Sequence, residues 1–460
     1  MWMVKSGGIC PLSHTHSKLF YHFKFIKSSI NLNFFCGSKA PAVLLFVRFF
    51  MDIRVILLLC AEALFGLFLL YRSGNLKKPS YWAVSVLLLA LAFVSRAMVF
   101  DYETLDYQDF LTHWVDFFRF NGGFAALDTP LGNYNIPYLY FMALFSYSGV
   151  RDLYLIKLLS VFFDLVLAYG SMMLLGKYAQ SPVQRLACFF TVLFLPTVFL
   201  NGAVWGQCDS IYVALAVMSI FLALDKKPVR AMIFIALSFG FKLQAVFLMP
   251  VFAVLLIAGK VKLKHFLVFP LTYVILVLPA VIAGRPFLDT LLLYFGQTGS
   301  IGDAMSYSAS SLFAILDRVQ NTDLASKLAV LAAFAFMLLV IAAVFFGRKR
   351  MTNRVILGAA VLFAIGIPFL LPHMHDRYFF PADIMTVIVA FAAFEYFPAA
   401  LLVQFGSLLG YYAYFKTRFL LPMRYGGWAM LTALCIAGLY FLTGFEGETP
   451  DAGKNALDKI

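Results

Sequence analysis

The sequence predicts an all-α fold, a polytopic transmembrane helical bundle of about 11–13 spans with interfacial helices in its first outer loop. Three observations predict it. The chain of 460 residues is 62% hydrophobic and 13% charged, with a mean hydropathy of +0.87; a soluble fold of that composition would leave too much apolar surface wet. Apolar stretches of roughly 17–25 residues recur from Ile53 to Gly444, each long enough to cross about 30 Å of hydrocarbon. Against them stand a few polar clusters: Asp101–Asp109, Asn133-Tyr-Asn135, Trp205-Gly-Gln-Cys-Asp209, Phe241-Lys242-Leu-Gln244 and His373-Met-His375-Asp376-Arg377. Polar groups kept in such surroundings pair, line a cavity or do chemistry.

Taken in order, residues 1–50 hold Lys5, Lys18, Lys24, Lys27, Lys39 and Arg48 with no acid. They read as an N-terminal extension ahead of Met51-Asp52-Ile53-Arg54, itself a natural membrane-protein start. A transit peptide is also basic, but arginine is nearly absent here and no amphipathic period is clear. Residues 51–443 form the transmembrane unit and 444–460 a polar tail.

Apolar helices are expected at 53–71, 81–99, 153–176, 186–203, 210–225, 231–241, 245–258, 265–284, 327–346, 355–371, 379–396, 399–415 and 426–443. The pair flanking Lys242 is short and reads as two half-helices meeting at a polar break, which a membrane tolerates only beside a cavity. In the mixed segment from Val99 to Asp152, Asp109–Phe120 places Phe110, Trp114, Phe117 and Phe118 on one side, as an interfacial helix does. Asn121-Gly-Gly123 ends that helix, and residues 137–148 form a shorter apolar stretch.

The formal net charge of +13 points to nucleic acid only until the charges are located. Six bases fall in residues 1–50, and most of the rest sit in short loops between spans. Those loops carry Arg72, Lys77, Lys78; Lys177, Arg185; Lys226, Lys227, Arg230; Lys260, Lys262, Lys264; and Arg348, Lys349, Arg350, Arg354, which makes them cytoplasmic. Every polar cluster then falls on the opposite face. Lys416, Arg418 and Arg424 break the pattern. The six cysteines are scattered, with no CxxC, and give neither a disulfide framework nor a zinc site. No repeat or inverted pair of halves is evident, against the common transporter architectures.

Of the acids between Asp101 and Asp128 most read as a solvated loop. Asp106 is the exception, set between Tyr102 and Tyr107 and near Trp114, where partial desolvation raises basicity and a sugar hydroxyl is a fitting proton donor. Lys242, His375 and Arg377 form a second constellation that suits a lipid-linked phosphate. Asp209 either caps the helix that follows or serves substrate. Lys157 and Asp164, seven apart, lie on one helix face and are expected to form a buried ion pair. His373-Met-His375 lacks further ligands for a metal, and Gly296-Gln-Thr-Gly-Ser300 lacks the lysine of a P-loop.

Leu105-Asp106-Tyr107, Phe110-Leu111, Trp114, Asn121-Gly-Gly123, Asn133-Tyr134 and Pro137-Tyr-Leu-Tyr140 resemble the first extracytoplasmic loop of bacterial GT-C glycosyltransferases, in particular the bacterial relatives of GPI mannosyltransferase II. Trp205–Ser210, Phe241–Ala245 and Met374–Phe379 are similar to three further motifs of that group. The resemblance spans roughly Arg96–Ala390. The chain departs from the pattern at Thr104-Leu105 (Ser-Gly in the family), at His113 and Ile136 (prolines) and at Asp376 (Glu). The resemblance implies a GT-C-like fold and inverting transfer of a sugar, mannose in the nearest relatives, from a polyprenyl-phosphate donor on the non-cytoplasmic face of a bacterial plasma membrane. It implies Asp106 as catalytic base, with Lys242, Gln244, His375, Arg377, Asp209, Trp205 and Asn135 binding substrate. The partners would be the lipid-linked donor, a glycan or lipid-linked acceptor and membrane lipids, with no nucleic acid and no cofactor beyond the donor. A phosphate leaving group needs little protonation, so one base plus cations would suffice, unlike the paired carboxylates of glycosidases. A transporter or flippase of a lipid-linked saccharide and a polysaccharide polymerase or ligase are the competing readings.

Overall fold

The computed structural model describes residues 51–132, 134–179, 181–296, 304–316 and 318–446. The extension 1–50, Asn133, the Gln297–Ser300 stretch and residues 447–460 lie outside the described residues.

Helices follow the apolar segments. In chain order they are α1 (Ile53–Arg72), α2 (Pro79–Ala97), α3 (Thr112–Phe120), α4 (Ile136–Ser146), α5 (Asp152–Leu175), α6 (Pro182–Phe194), α7 (Asp209–Leu224), α8 (Pro228–Phe241), α9 (Val251–Ile257), α10 (Val268–Ile282), α11 (Thr322–Gly347), α12 (Asn353–Leu370), α13 (Phe380–Ala392), α14 (Phe397–Lys416) and α15 (Arg424–Thr443). Proline opens α2, α4, α6, α8, α13 and α14 at the first or second position, where its missing N–H costs nothing. Asp52, Asn135, Ser181 and Asn321 cap α1, α4, α6 and α11 by accepting an orphan N–H.

Among the described residues, seven helices are long and apolar enough to cross a membrane, or eight if α6 and its continuation Pro196–Trp205, bent by 46°, count as one span. Helix α7 is apolar on every side and almost wholly buried, as a central helix should be. It packs on α5 and α8, while α12 lies against α11 and α15. Helices α1, α2, α10 and α11 turn most of their surface outward, the environment of lipid-facing spans. A short parallel pair, β1 (Ser306–Tyr307) with β2 (Met374–His375), ties two loops together.

The break expected near Lys242 falls at that residue. Helix α8 stops at Phe241, Lys242 is extended (φ −154°, ψ 134°), and a 3₁₀ turn Leu243–Phe247 follows. The interfacial segment differs in detail, with a π-helical turn Tyr107–Leu111 leading into α3.

The basic loops gather at one end of the bundle. Lys177 and Lys227 share Asp225, at 2.5 and 2.6 Å. Arg354 reaches Glu395 at 3.7 Å, and the Tyr178 hydroxyl donates to the Asn353 carbonyl at 3.1 Å. The polar clusters meet at the other end. The Lys416–Arg424 connection belongs with them, because the Asp106 N–H donates to Tyr414 Oη at 3.2 Å. Those three cations are therefore a true exception to the charge sorting.

The expected Lys157–Asp164 pair does not form. Lys157 donates to the carbonyls of Val99, Phe100 and Tyr102 at 3.1, 2.9 and 2.6 Å. Asp164 instead takes Arg96 at 3.1 Å and the Ser210 hydroxyl at 2.5 Å. Each found a partner from another element, which i,i+7 spacing cannot foresee.

In a cysteine-free background, single cysteines replacing Asp109 and Arg418 should react with an impermeant maleimide from one side of the membrane, and those replacing Lys227 and Lys349 only from the other. Labelling of Asp109 and Arg418 positions from opposite sides would refute the shared end.

Candidate active site

The loop bearing Asp106 is fixed before any ligand arrives. Its first turn exposes carbonyls that no helix satisfies, and the Lys157 ammonium, with three protons, meets three of them. Thr104 Oγ1 donates to the Trp205 carbonyl at 3.4 Å. Nearby acids are held on the loop surface: Glu103 by Arg151, Asp101 by the Tyr154 hydroxyl and Asp116 by Arg119. Asp109 is exposed.

Asp106 is half-buried, and its Oδ2 accepts from Trp205 Nε1 at 2.9 Å and Gln207 Nε2 at 2.7 Å. Among the described residues Oδ1 accepts no hydrogen bond. Trp205 is the last residue of the π-helical segment Leu200–Trp205 and Gln207 lies in the turn after it, and Gly206 between them adopts φ 75°. That left-handed geometry favours glycine. A π-helical turn thus lies next to Asp106 and another ends at Trp205, a feature frequent at functional sites. Tyr414 stacks on the Trp205 indole at 3.7 Å between centroids. Tyr134 Oη donates to Gln207 Oε1 at 3.0 Å, holding the amide in its orientation.

Asp209 opens α7 and is fully buried. It takes the Lys242 ammonium on Oδ1, Asn201 Nδ2 on Oδ2 at 2.8 Å, and approaches Arg377 Nε at 3.6 Å. Its helix-start position adds the favourable end of the helix dipole. The Arg377 guanidinium also covers the Trp205 ring at 4.9 Å and meets Asp376 at 3.5 Å. One connected network therefore runs Asp106–Trp205–Arg377–Asp209–Lys242.

Beside this network opens a cavity of about 450 Å³, whose walls include Asn135, Tyr134, Lys242, Gln244, Arg377 and Tyr378. Gln244 Oε1 and Arg377 Nε are buried there without a hydrogen-bond partner among the described residues. Buried polar atoms left this way are costly unless a ligand satisfies them. Of the residues expected to bind substrate, Lys242, Gln244 and Arg377 face the cavity with free capacity. Asn135 also lines it, but its amide is committed: Oδ1 caps α4 and Nδ2 donates to Tyr273 at 3.0 Å.

His375 departs from the expectation of a cation. Its ring stacks on Tyr307 at 4.7 Å, does not line the cavity, and burial followed by the nearby charges of Arg377 and Lys242 lowers its pKa to about 4. It is neutral at physiological pH. Burial raises the Asp376 carboxyl to about 7, against the opposing pull of Arg377. With Asp376 protonated, Lys242 and Arg377 outnumber the one carboxylate, Asp209, that touches both. Asp106 lies across the indole. The cavity thus has a cationic wall, while Asp106 does not line it and is joined to it through Trp205 and Arg377, so that an anion and a proton can be accepted at separate points. His373 spends both ring nitrogens, on the Ala304 carbonyl at 2.8 Å and Ser326 at 3.2 Å.

The sequence reading missed Gln207, Tyr134 and Tyr414 as parts of this network. Gln207 stood inside the Trp205–Asp209 cluster and was open to recognition. Tyr414 lies in an apolar span, where an aromatic residue carries no sign of its partner.

The model of glycosyltransferase family 87 matches residues 133–372. That is more than half of the chain, and the chain belongs to this GT-C-type family of membrane glycosyltransferases. The match takes in the Trp205–Asp209 and Phe241–Gln244 clusters and lies between the Asp106 loop and the His373–Arg377 cluster. No curated protein matches the chain.

Gly206→Ala should destabilise the protein by about 1–2 kcal/mol, the cost of a side chain in the left-handed region, and impair sugar transfer by shifting both donors to Asp106. Gly259→Ala, at φ 68° with open space around it, should cost similar stability and leave transfer intact. Thermal unfolding and turnover measured on both variants check this; equal activity in the two would show that Gly206 matters only for stability.

Proposed function

Proceeding from membership of family 87, we propose that this protein is an inverting, mannosyltransferase-like enzyme that moves a sugar from a polyprenyl-phosphate donor to a glycan or lipid-linked acceptor. The reaction would take place on the non-cytoplasmic face of a bacterial plasma membrane. The observation that carries the proposal is the network described above, in which a carboxylate with one free oxygen and two cations beside a cavity are joined through Trp205. The gathering of basic loops at the far end supports the orientation.

In this reading Asp106 Oδ1 takes the proton of the acceptor hydroxyl as its oxygen attacks the anomeric carbon. The new carbon–oxygen bond forms as the bond to phosphate breaks on the opposite side, which inverts the centre. Polyprenyl phosphate leaves with the electron pair, and Arg377 and Lys242 stabilise its charge. Gln207 and Trp205 hold Oδ2, so the base keeps one orientation. Gln244 Oε1 accepts a sugar hydroxyl.

With purified protein, a panel of labelled polyprenyl-phosphate sugars and membrane acceptors, Asp106→Asn should reduce turnover by roughly 10²–10⁴ with donor binding retained. Arg377→Ala should raise the donor KM, and Asp109→Asn should change little. Loss of transfer in Asp109→Asn with Asp106→Asn still active would overturn the base assignment.

The pH dependence follows from Asp376. Below about pH 7 its carboxyl is neutral and Arg377 keeps Asp209 as its one ion-pair partner, leaving capacity for the donor phosphate; above it the carboxylate forms, competes for Arg377 and repels the donor. The donor KM should therefore rise as pH passes through about 7, and stay flat in Asp376→Asn. A wild-type KM independent of pH from 6 to 8 would remove Asp376 from donor binding.

A further inference from the structure

We propose that a second cavity at the same end of the bundle seats the phosphate headgroup of an anionic membrane lipid. The cavity has a volume of about 760 Å³ and lies behind β1. Strand alternation divides the two sites: Tyr307 stacks on His375, toward the candidate active site, while Ser306 and Ser308 line the second cavity. Ser306 Oγ is occupied by the Ala309 backbone. Ser308, held at φ 57°, is the hydroxyl left to serve a ligand.

This cavity combines a cation with apolar walls. Lys416 at the end of α14, Arg418 on the short connection and Arg424 at the start of α15 are exposed, and none pairs with an acid among the described residues. At the opposite end Lys177, Lys227 and Arg354 each meet a carboxylate, whereas Lys349 and Arg350 are exposed and, like the cations here, have no acid partner among the described residues. Arg424 lines the cavity together with the apolar walls of Phe313, Phe419 and Met423. The connection leads into α15, one of the helices long and apolar enough to cross a membrane, so it lies at the end of a span, where hydrocarbon gives way to headgroups. Leu420, Leu421, Tyr425 and Trp428 are exposed around it, and tyrosine and tryptophan at that depth mark the interface.

A soluble anion would satisfy the cations but not the apolar walls. An uncharged lipid would do the reverse. A phosphodiester on Arg424 and Ser308, with Arg418 adding positive charge from the rim and acyl chains running down the exposed face of α15, satisfies both.

The test uses the full chain in detergent micelles, with binding of short-chain phosphatidylglycerol and phosphatidylcholine compared by native mass spectrometry. Wild type should prefer phosphatidylglycerol by about tenfold. Arg418→Gln with Arg424→Gln should abolish the preference, Ser308→Ala should reduce it, and Lys349→Gln with Arg350→Gln at the far end should keep it. Equal binding of the two lipids, or an unchanged preference in the Arg418/Arg424 variant, overturns the proposal. Displacement of phosphatidylglycerol by inorganic phosphate also overturns it, in favour of a soluble-anion site.

Discussion

A carboxylate sealed from water must be matched by positive charge and hydrogen bonds, and Asp209 is matched by both. Its partners arrive from three separate places in the chain: Lys242 from the break after α8, Arg377 from the connection between β2 and α13, and Asn201 from the π-helical turn before Trp205. Removing one member of a buried set like this typically costs about 3–5 kcal/mol, because the remaining charges stay behind unpaired. The break at Lys242 is the clearest consequence. A continuous helix would keep its backbone satisfied, and here the helix ends where the ammonium must reach Asp209.

A second constraint acts on the other flank. The segment after α2 leaves helical geometry, so its carbonyls need donors, and Lys157 supplies them from α5. That anchors the turn from which Asp106 projects. Trp205 joins the flanks, donating to Asp106 through its nitrogen and meeting Arg377 with its face. The indole lets a cation and an anion share one residue without neutralising each other.

Much of this was legible in the sequence because the hydrocarbon background is so uniform. Asp106, Trp205, Asp209, Lys242 and Arg377 stand out there, and the apolar lengths fix the helices. Pairing is what the one-dimensional record hides. Lys157 and Asp164 share a helix face yet take partners from elsewhere, since three carbonyls beyond the end of α2 and Arg96 offer each more than the other could. His375 looked like a cation because only its surroundings keep it neutral. Asn135 looked available because its two amide partners, the start of α4 and Tyr273, appear only in three dimensions. Tyr414, more than three hundred positions beyond Asp106, gave no local sign at all.

That last distance bears on biogenesis. Elements become available in order as the chain emerges, and the Asp106 turn follows directly on α1 and α2. Its turn is secured by α5, its side chain by the residues before α7, and its backbone N–H only when α14 has been made and Tyr414 stacks on Trp205. A nascent chain stalled before the penultimate helix would carry every acid and base of the network, including Arg377, and still lack the floor on which Trp205 rests. Completion of the site is thereby coupled to synthesis of nearly the whole chain.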